Sequence, residues 1–234
     1  MRTIGLLGGL SWHSSAVYYD RINRGVAARL GPHRSARLVM HSIDYGEVLR
    51  ARQDGDWARL GGVLVSACKG LQRAGADGLF LCSNTIHRFA PRIQSQLNIP
   101  VIHIADALAE RIIADGHTRV GLLGTAFTLT TPFYAERLRA RGLDVLLPPP
   151  EGIAAIDRVI VHELTAGVFA PSSRERFIAE MRALKARGAQ VIALGCTEIG
   201  LLVHPGDLDL PVLDTALVHA DAAVAWSLDD TRSA

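Results

Sequence analysis

Two short stretches hold the residue types that could move a proton: FLCSNTIH at 80–87 and ALGCTEIG at 193–200. Each reads as a buried strand running into a helix, with small polar residues at the junction. A thiol or hydroxyl there stands at the carboxyl end of a strand, where open α/β sheets bind their ligands. A helix N-terminus also favours thiolate, the form of cysteine that acts as base or nucleophile. Either junction alone reads equally well as an N-cap cluster that satisfies orphan amides. Two such junctions in one chain, one of them carrying a thiol, point to chemistry. The first stretch offers Cys82 and Ser83 as rival reactive groups, and the second offers Cys196.

Positioning these groups requires a regular scaffold, and the hydrophobic patterning supplies one. Strand-like runs fall at 2–7, 37–43, 77–82, 100–103, 119–124, 143–147, 189–195 and 211–213. Helix-period segments lie between and after them, at 14–29, 57–74, 86–97, 105–115, 131–141, 152–166, 172–187 and 215–227. Thr131-Pro132 predicts a helix start, with a capping residue followed by proline at the first helical position. The alternation predicts an α/β fold with mainly parallel sheets.

The chain also repeats itself. TIGLLGGLS (3–11) returns as RVGLLGTAF (119–127), and GADGLFLCSNT (75–85) as GAQVIALGCTE (188–198). IPVIHIADA (99–107) returns more loosely as LPVLDTALV (210–218). Three matches in one order predict two similar α/β units. Aligning Gly75-Ala76 with Gly188-Ala189 sets Cys82 opposite Gly195 and Ser83 opposite Cys196. Successive strand side chains point to opposite faces, so Cys82 and Ser83 cannot share one site while the strand stays regular. Ser83 is therefore the predicted partner of Cys196, and Cys82 a small buried filler.

Composition narrows the classes. A chain of 234 residues that is 49% hydrophobic and 21% charged describes an ordinary globular protein. A net charge of +2 provides no basic field for nucleic acid, and no apolar run reaches the ~20 residues of a membrane span. Three cysteines without a CxxC pair suit reduced thiols in the cytoplasm. GLLGGLS departs from the G-x-G-x-x-G spacing and lacks a P-loop lysine, so close backbone approach to a small anion is the better reading of the glycine loops. Nine histidines without HxH or HExxH spacing argue against a metal site. Lys69 and Lys185, the two lysines, both fall inside predicted helices, which disfavours a pyridoxal phosphate Schiff base. Arg50 and Arg52, after the second strand, read as a solvated helix face or as a carboxylate clamp.

GLLGGLSW, LCSNTIH, LLGTAFT and GCTEIGLLV together resemble the aspartate/glutamate racemase family of the Asp/Glu/hydantoin racemase superfamily. They are most similar to its amino-acid racemase branch, with LCTNTMH-like and GCTEIGLL motifs. The resemblance spans nearly the whole chain. It implies two pseudo-symmetric domains, at 1–103 and 104–213, with the active site in the cleft between them and a C-terminal helix in 214–234 packing back on the first. It implies a cofactor-independent isomerase acting on a small amino acid or dicarboxylate, with no nucleic-acid or membrane partner and with homodimerisation left open. Two residues on opposite faces of the substrate would exchange the Cα proton, a task suited to groups whose pKa can be tuned toward working pH. Carried onto this chain, Cys196 and Ser83 are the acid/base pair. Ser11, Asn84, Thr85, Thr125 and Thr197 contact the substrate, and Arg50 holds a side-chain carboxylate.

Two departures from the family pattern matter. Many members place cysteine directly before Asn-Thr, where this chain has Ser83, and a serine hydroxyl is a far weaker acid than a thiol. Members specific for acidic amino acids also carry a lysine where EGIAAIDRVIVHEL has Ala155, leaving Arg50 as the remaining cation for aspartate or glutamate. The first departure keeps open a one-cysteine decarboxylase or cis–trans isomerase of the same superfamily, and a non-catalytic carboxylate-binding protein.

Overall fold

The computed structural model describes residues 1–204 and 206–229; of the predicted C-terminal segment, 230–234 lie outside the described residues. Among the described residues, eight strands form two four-stranded sheets, parallel throughout. The first has the order β2-β1-β3-β4, from β1 (Ile4–Gly8), β2 (Leu38–Ser42), β3 (Gly78–Leu81) and β4 (Val101–Ile102). The second repeats that order as β6-β5-β7-β8, from β5 (Arg119–Leu123), β6 (Asp144–Leu146), β7 (Val191–Leu194) and β8 (Val212–Asp214). The three sequence repeats are thus the matching strand pairs β1/β5, β3/β7 and β4/β8. The chain divides into two compact units, Met1–Ile104 with His219–Ala234, and Ala105–Val218. The crossings fall after Ile104 and Val218, where the sequence places boundaries after 103 and 213.

The helices follow from apolar spacing and capping. α1 (Trp12–Leu30) starts on Ser11 and buries Tyr18, Ile22 and Val26 at four-residue intervals. α3 (Trp57–Arg73) starts where the Asp56 carboxylate accepts the Arg59 amide, and it buries Leu60, Leu64, Cys68 and Leu71. The remaining long helices are α5 (Ile104–Ala114), α7 (Pro132–Ala140), α8 (Pro150–His162), α9 (Pro171–Ala186) and α10 (Thr215–Leu228). The predicted helix at 86–97 is shorter: a 3₁₀ turn at Thr85–Phe89 leads into α4 (Ala90–Gln94).

Two helices lie outside the helix-period segments of the sequence. α2 (Tyr45–Gln53) carries an early glycine and buries only Val48 and Ala51, too little for a clear period. α6 (Ala126–Thr130) is the threonine-rich stretch AFTLT, which favours strand by propensity. Its presence alters the predicted start at Thr131: that hydroxyl donates back to the Phe127 carbonyl of α6, which also accepts the Thr131 amide, and does not cap α7.

In the first unit, the two sheet faces bury different partners. Leu7, Leu79 and Leu81 pack with Leu64 and Cys68 of α3. On the other face, the Phe80 ring lies 5.1 Å from His219 and 5.7 Å from Trp226 of α10. Close packing there requires glycine at Gly78, where a Cβ would come within 2.5 Å of Trp226. Arg21 forms a bidentate pair with Asp221, at 2.7 and 2.8 Å. His219 is fully buried, with Nδ1 2.8 Å from the Tyr18 hydroxyl and Nε2 3.0 Å from the Ile102 carbonyl. A carbonyl only accepts, so Nε2 carries the proton and Nδ1 receives the Tyr18 hydroxyl hydrogen. In the second unit, Leu123, Ile192 and Leu194 pack with Ile156 and Ile160 of α8 and Phe177, Met181 and Leu184 of α9.

Burial, with His87 nearby, lowers the His219 pKa from 6.5 to about 3. The unfolded chain therefore binds a proton below pH 6.5 that the folded chain refuses. Stability is complete above that pH and falls as pH drops toward 3, with a slope approaching ~1.4 kcal/mol per pH unit for this one group. Urea unfolding between pH 7 and 5 should show His219→Gln losing less stability than the parent. Parallel slopes in the two proteins would sink this assignment.

Candidate active site

Both candidate acid/bases sit where the order of the sheet reverses direction. In the first unit, β1 runs into the glycine loop and β3 into Cys82-Ser83-Asn84, side by side. The β3 pairing continues one residue past the strand, as the Cys82 amide donates to the Leu7 carbonyl at 2.9 Å. In the second unit, the Gly195 amide donates to the Leu123 carbonyl at 2.6 Å. Leu7 and Leu123 are the matching leucines of GLLGG and GLLGT, so Cys82 and Gly195 occupy the same place in the two sheets. Ser83 and Cys196, the next residues, are therefore structural equivalents, and both are half-buried.

Cys82 itself is fully buried, its thiol 4.0 Å from the Phe80 carbonyl, and desolvation raises its pKa far above the usual thiol range. Cys68 is also buried, and its pKa is pushed up to about 12. Cys196 is the more accessible thiol of the three.

The surroundings of Cys196 contain a residue that the sequence reading passed over. Glu198 Oε2 accepts from the Cys196 thiol at 3.0 Å and from the Thr197 hydroxyl at 2.8 Å. Burial, the Glu198 charge and this hydrogen bond hold the thiol pKa well above its ordinary value, and Asp214 adds to the effect. Asp214 ends β8 and caps α10 through the Ala216 amide at 2.8 Å; burial raises its own pKa. Gly200 is kept small because a Cβ there would lie 2.5 Å from Asp214 Oδ2. The signal for Glu198 was present as the acid of GCTEI, two residues past the thiol. Asp214 could be found only once β8 was placed beside β7.

Around Ser83, the Asn84 side chain is buried and Thr85 opens the 3₁₀ turn half-buried. Ser11 and Thr125 already work as helix caps, accepting from the Ser14 amide at 3.5 Å and the Thr128 amide at 3.3 Å. The Asp157 carboxylate takes the Ala126 amide at 2.7 Å and ties the turn after Thr125 to α8. Ala155, where the family pattern suggests lysine, is half-buried on the same helix. Arg50 is exposed on the last turn of α2, which springs from the carboxyl end of β2. At Gly9 the glycine loop makes a close approach to protein: a Cβ there, with φ +87°, would fall 2.0 Å from the Ile43 carbonyl oxygen, and the Gly9 amide donates to Ser15 Oγ at 2.9 Å. Among the described residues, no three metal-ligating side chains converge and no helix is long and apolar enough to cross a membrane.

The fold is a doubled α/β scaffold with a hydroxyl and a thiol at equivalent strand ends. The comparisons with known proteins give it a family. The profile of Asp/Glu/hydantoin racemases matches residues 7–223, and the chain belongs to that family. A broad-specificity amino-acid racemase of Bacillus subtilis is 22% identical over 96% of this chain and 98% of its own length. A proposed Asp/Glu racemase from Yersinia pestis is 39% identical with a TM-score of 0.93, covering 98% of this chain and all of its own. An aspartate racemase homologue from Pyrococcus horikoshii is 30% identical with a TM-score of 0.86, over the same shares.

The thiol environment gives a direct test. Alkylation by iodoacetamide should modify Cys196 selectively, slowly at neutral pH and faster as pH rises. Glu198→Gln removes the repelling charge, so it should move the alkylation profile to lower pH. An unchanged profile would mean that the carboxylate does not govern the thiol.

Proposed function

We propose that the protein is a cofactor-independent amino-acid racemase in which Cys196 and Ser83 exchange the Cα proton of an acidic amino acid. The observation that carries this reading is the equivalence of the two residues, each one step past the same sheet hydrogen bond. Family membership supports the reaction class. Asn84, Thr85 and Thr197 hold the substrate's ammonium and carboxylate, Ser11 and Thr125 border them from the caps, and Arg50 meets the distal carboxylate.

In one direction, the Cys196 proton passes to Glu198, and the resulting thiolate takes the hydrogen from Cα. The carbanion then receives a proton from the Ser83 hydroxyl on the opposite face, the serine regains its own from water, and the proton held by Glu198 neutralises the hydroxide left behind. The reverse direction needs Ser83 as base, which is harder because an alkoxide is costly to form. Racemisation has an equilibrium constant of one, so kcat/KM must be equal in both directions. The serine therefore slows the enzyme or makes kcat and KM differ between enantiomers, without making it one-way.

A second reading has a specific observation in its favour. One accessible thiol, Cys196, paired by strand-end equivalence with a hydroxyl and not with a second thiol, also suits protonation from a single side, as in decarboxylation of a substituted malonate or a cis–trans isomerisation. Product analysis on substituted malonates, maleate and amino acids separates the two reactions. Tight amino-acid binding without turnover would instead indicate a carboxylate-binding protein.

Incubation with each standard amino acid of both hands in heavy water should replace the Cα hydrogen of an acidic one by deuterium. Cys196→Ala should abolish the exchange, and added pyridoxal phosphate should not change it. Cys82→Ala should keep most activity at a stability cost of about 1 kcal/mol, and Ser83→Cys should preserve or raise the rate. Exchange that survives loss of the Cys196 thiol would be fatal to the proposal.

A further inference from the structure

The first unit holds a histidine that the proton-exchange reading does not use, and it is tied directly to Ser83. His87 is buried, 1% exposed, in the 3₁₀ turn that follows the Ser83 junction. Its Nδ1 lies 2.8 Å from the Ser83 carbonyl oxygen, and its Nε2 accepts from the Ile104 amide at 3.2 Å. An amide only donates and a carbonyl only accepts, so both contacts are satisfied by a neutral ring with its proton on Nδ1. The His87 amide also donates to the Asn84 carbonyl at 3.2 Å, so two hydrogen bonds from one residue close the Ser83–His87 turn. The ring is wedged against His103, with centroids 4.5 Å apart, and meets His219 edge-on at 5.6 Å.

The second unit lacks this device. The residue equivalent to His87 is Gly200, and the Asp214 carboxylate approaches the space that a side chain there would fill. The two halves therefore differ in kind. The thiol has carboxylates beside it, whereas the backbone of the serine is held by an imidazole.

We propose that His87 is a positioning residue for Ser83: its Nδ1–H fixes the Ser83–Asn84 peptide and thereby aims the Ser83 hydroxyl, while Nε2 anchors the ring to the Ile104 amide. The inference rests on the reading of Ser83 as the second acid/base. It implies that loss of the Nδ1 contact harms proton delivery on the serine face and spares the thiol face. Displacing a proton donor by a fraction of an ångström costs rate steeply, because transfer needs hydrogen-bond reach.

Two substitutions divide the ring. In His87→Asn the amide nitrogen stands where Nδ1 stood, and in His87→Gln the amide oxygen can reach the place of Nε2. Both open some space among the three histidines, and thermal melting records that common loss. The informative experiment follows one enantiomer in heavy water, the one whose Cα exchange survives in Ser83→Ala. Two rates are read: deuterium uptake with retention, which needs only Cys196, and inversion to the mirror image, which needs Ser83 as well. His87→Gln should lower inversion roughly tenfold or more with retention changed less than about threefold, and His87→Asn should recover most of the inversion. If inversion and retention fall together, or if Asn and Gln behave alike, His87 is structural only and the proposal is overturned. A parent protein with no Cα exchange on any amino acid would overturn this proposal and the racemase reading together, which distinguishes the two failures.

Discussion

A single backbone hydrogen bond, made twice, carries the arrangement of this molecule's chemistry. In each unit, the strand that precedes a candidate acid/base pairs with its neighbour one residue beyond its regular end: Cys82 to Leu7, and Gly195 to Leu123. The pleat assigns alternate side chains to alternate faces, so this bond decides which residue is core and which is candidate site. A slip of one residue would bring the Cys82 thiol out and bury Ser83. That slip is opposed by Leu79 and Leu81 on one face and by Phe80 against His219 and Trp226 on the other.

The same constraint explains why the thiols differ so much. Buried cysteine behaves as a small hydrophobe, and its thiolate is penalised by desolvation alone, as at Cys82 and Cys68. Cys196 is also raised, but by an adjacent carboxylate as well as by burial, and a carboxylate within hydrogen-bond distance is a proton acceptor. The group that raises its pKa at rest is the group that can take its proton. Desolvation without an acceptor leaves a cysteine inert, whereas desolvation beside Glu198 leaves it poised.

The symmetry of the fold is not carried into the chemistry. Strand order, register and the junction geometry repeat, but the residues that surround the junctions have diverged. His87 against Gly200, and His103 against Asp214, place imidazoles behind the serine's backbone and carboxylates beside the thiol. A scaffold duplicated in backbone geometry can thus offer two different side-chain environments, since backbone hydrogen bonds do not depend on side-chain identity.

Much of this was legible in the chain alone. All eight strands, the parallel α/β class and the equivalence of Ser83 with Cys196 followed from hydrophobic period and internal repeats, because buried strands must be apolar and equivalent strands bury alike. α2 and α6 were not legible, since one buries little and the other is written in β-favouring threonine. Thr131 could not be assigned correctly without α6, whose Phe127 carbonyl claims its hydroxyl. The partners of the site were decided only by tertiary structure. Asp214 reaches the Cys196 junction because β8 lies beside β7, and His87 is held by the Ile104 amide, 17 residues further along the chain. Periodicity records which face a residue turns to the core, but which side chain from elsewhere meets it depends on strand order and register, and those exist only once the chain has folded.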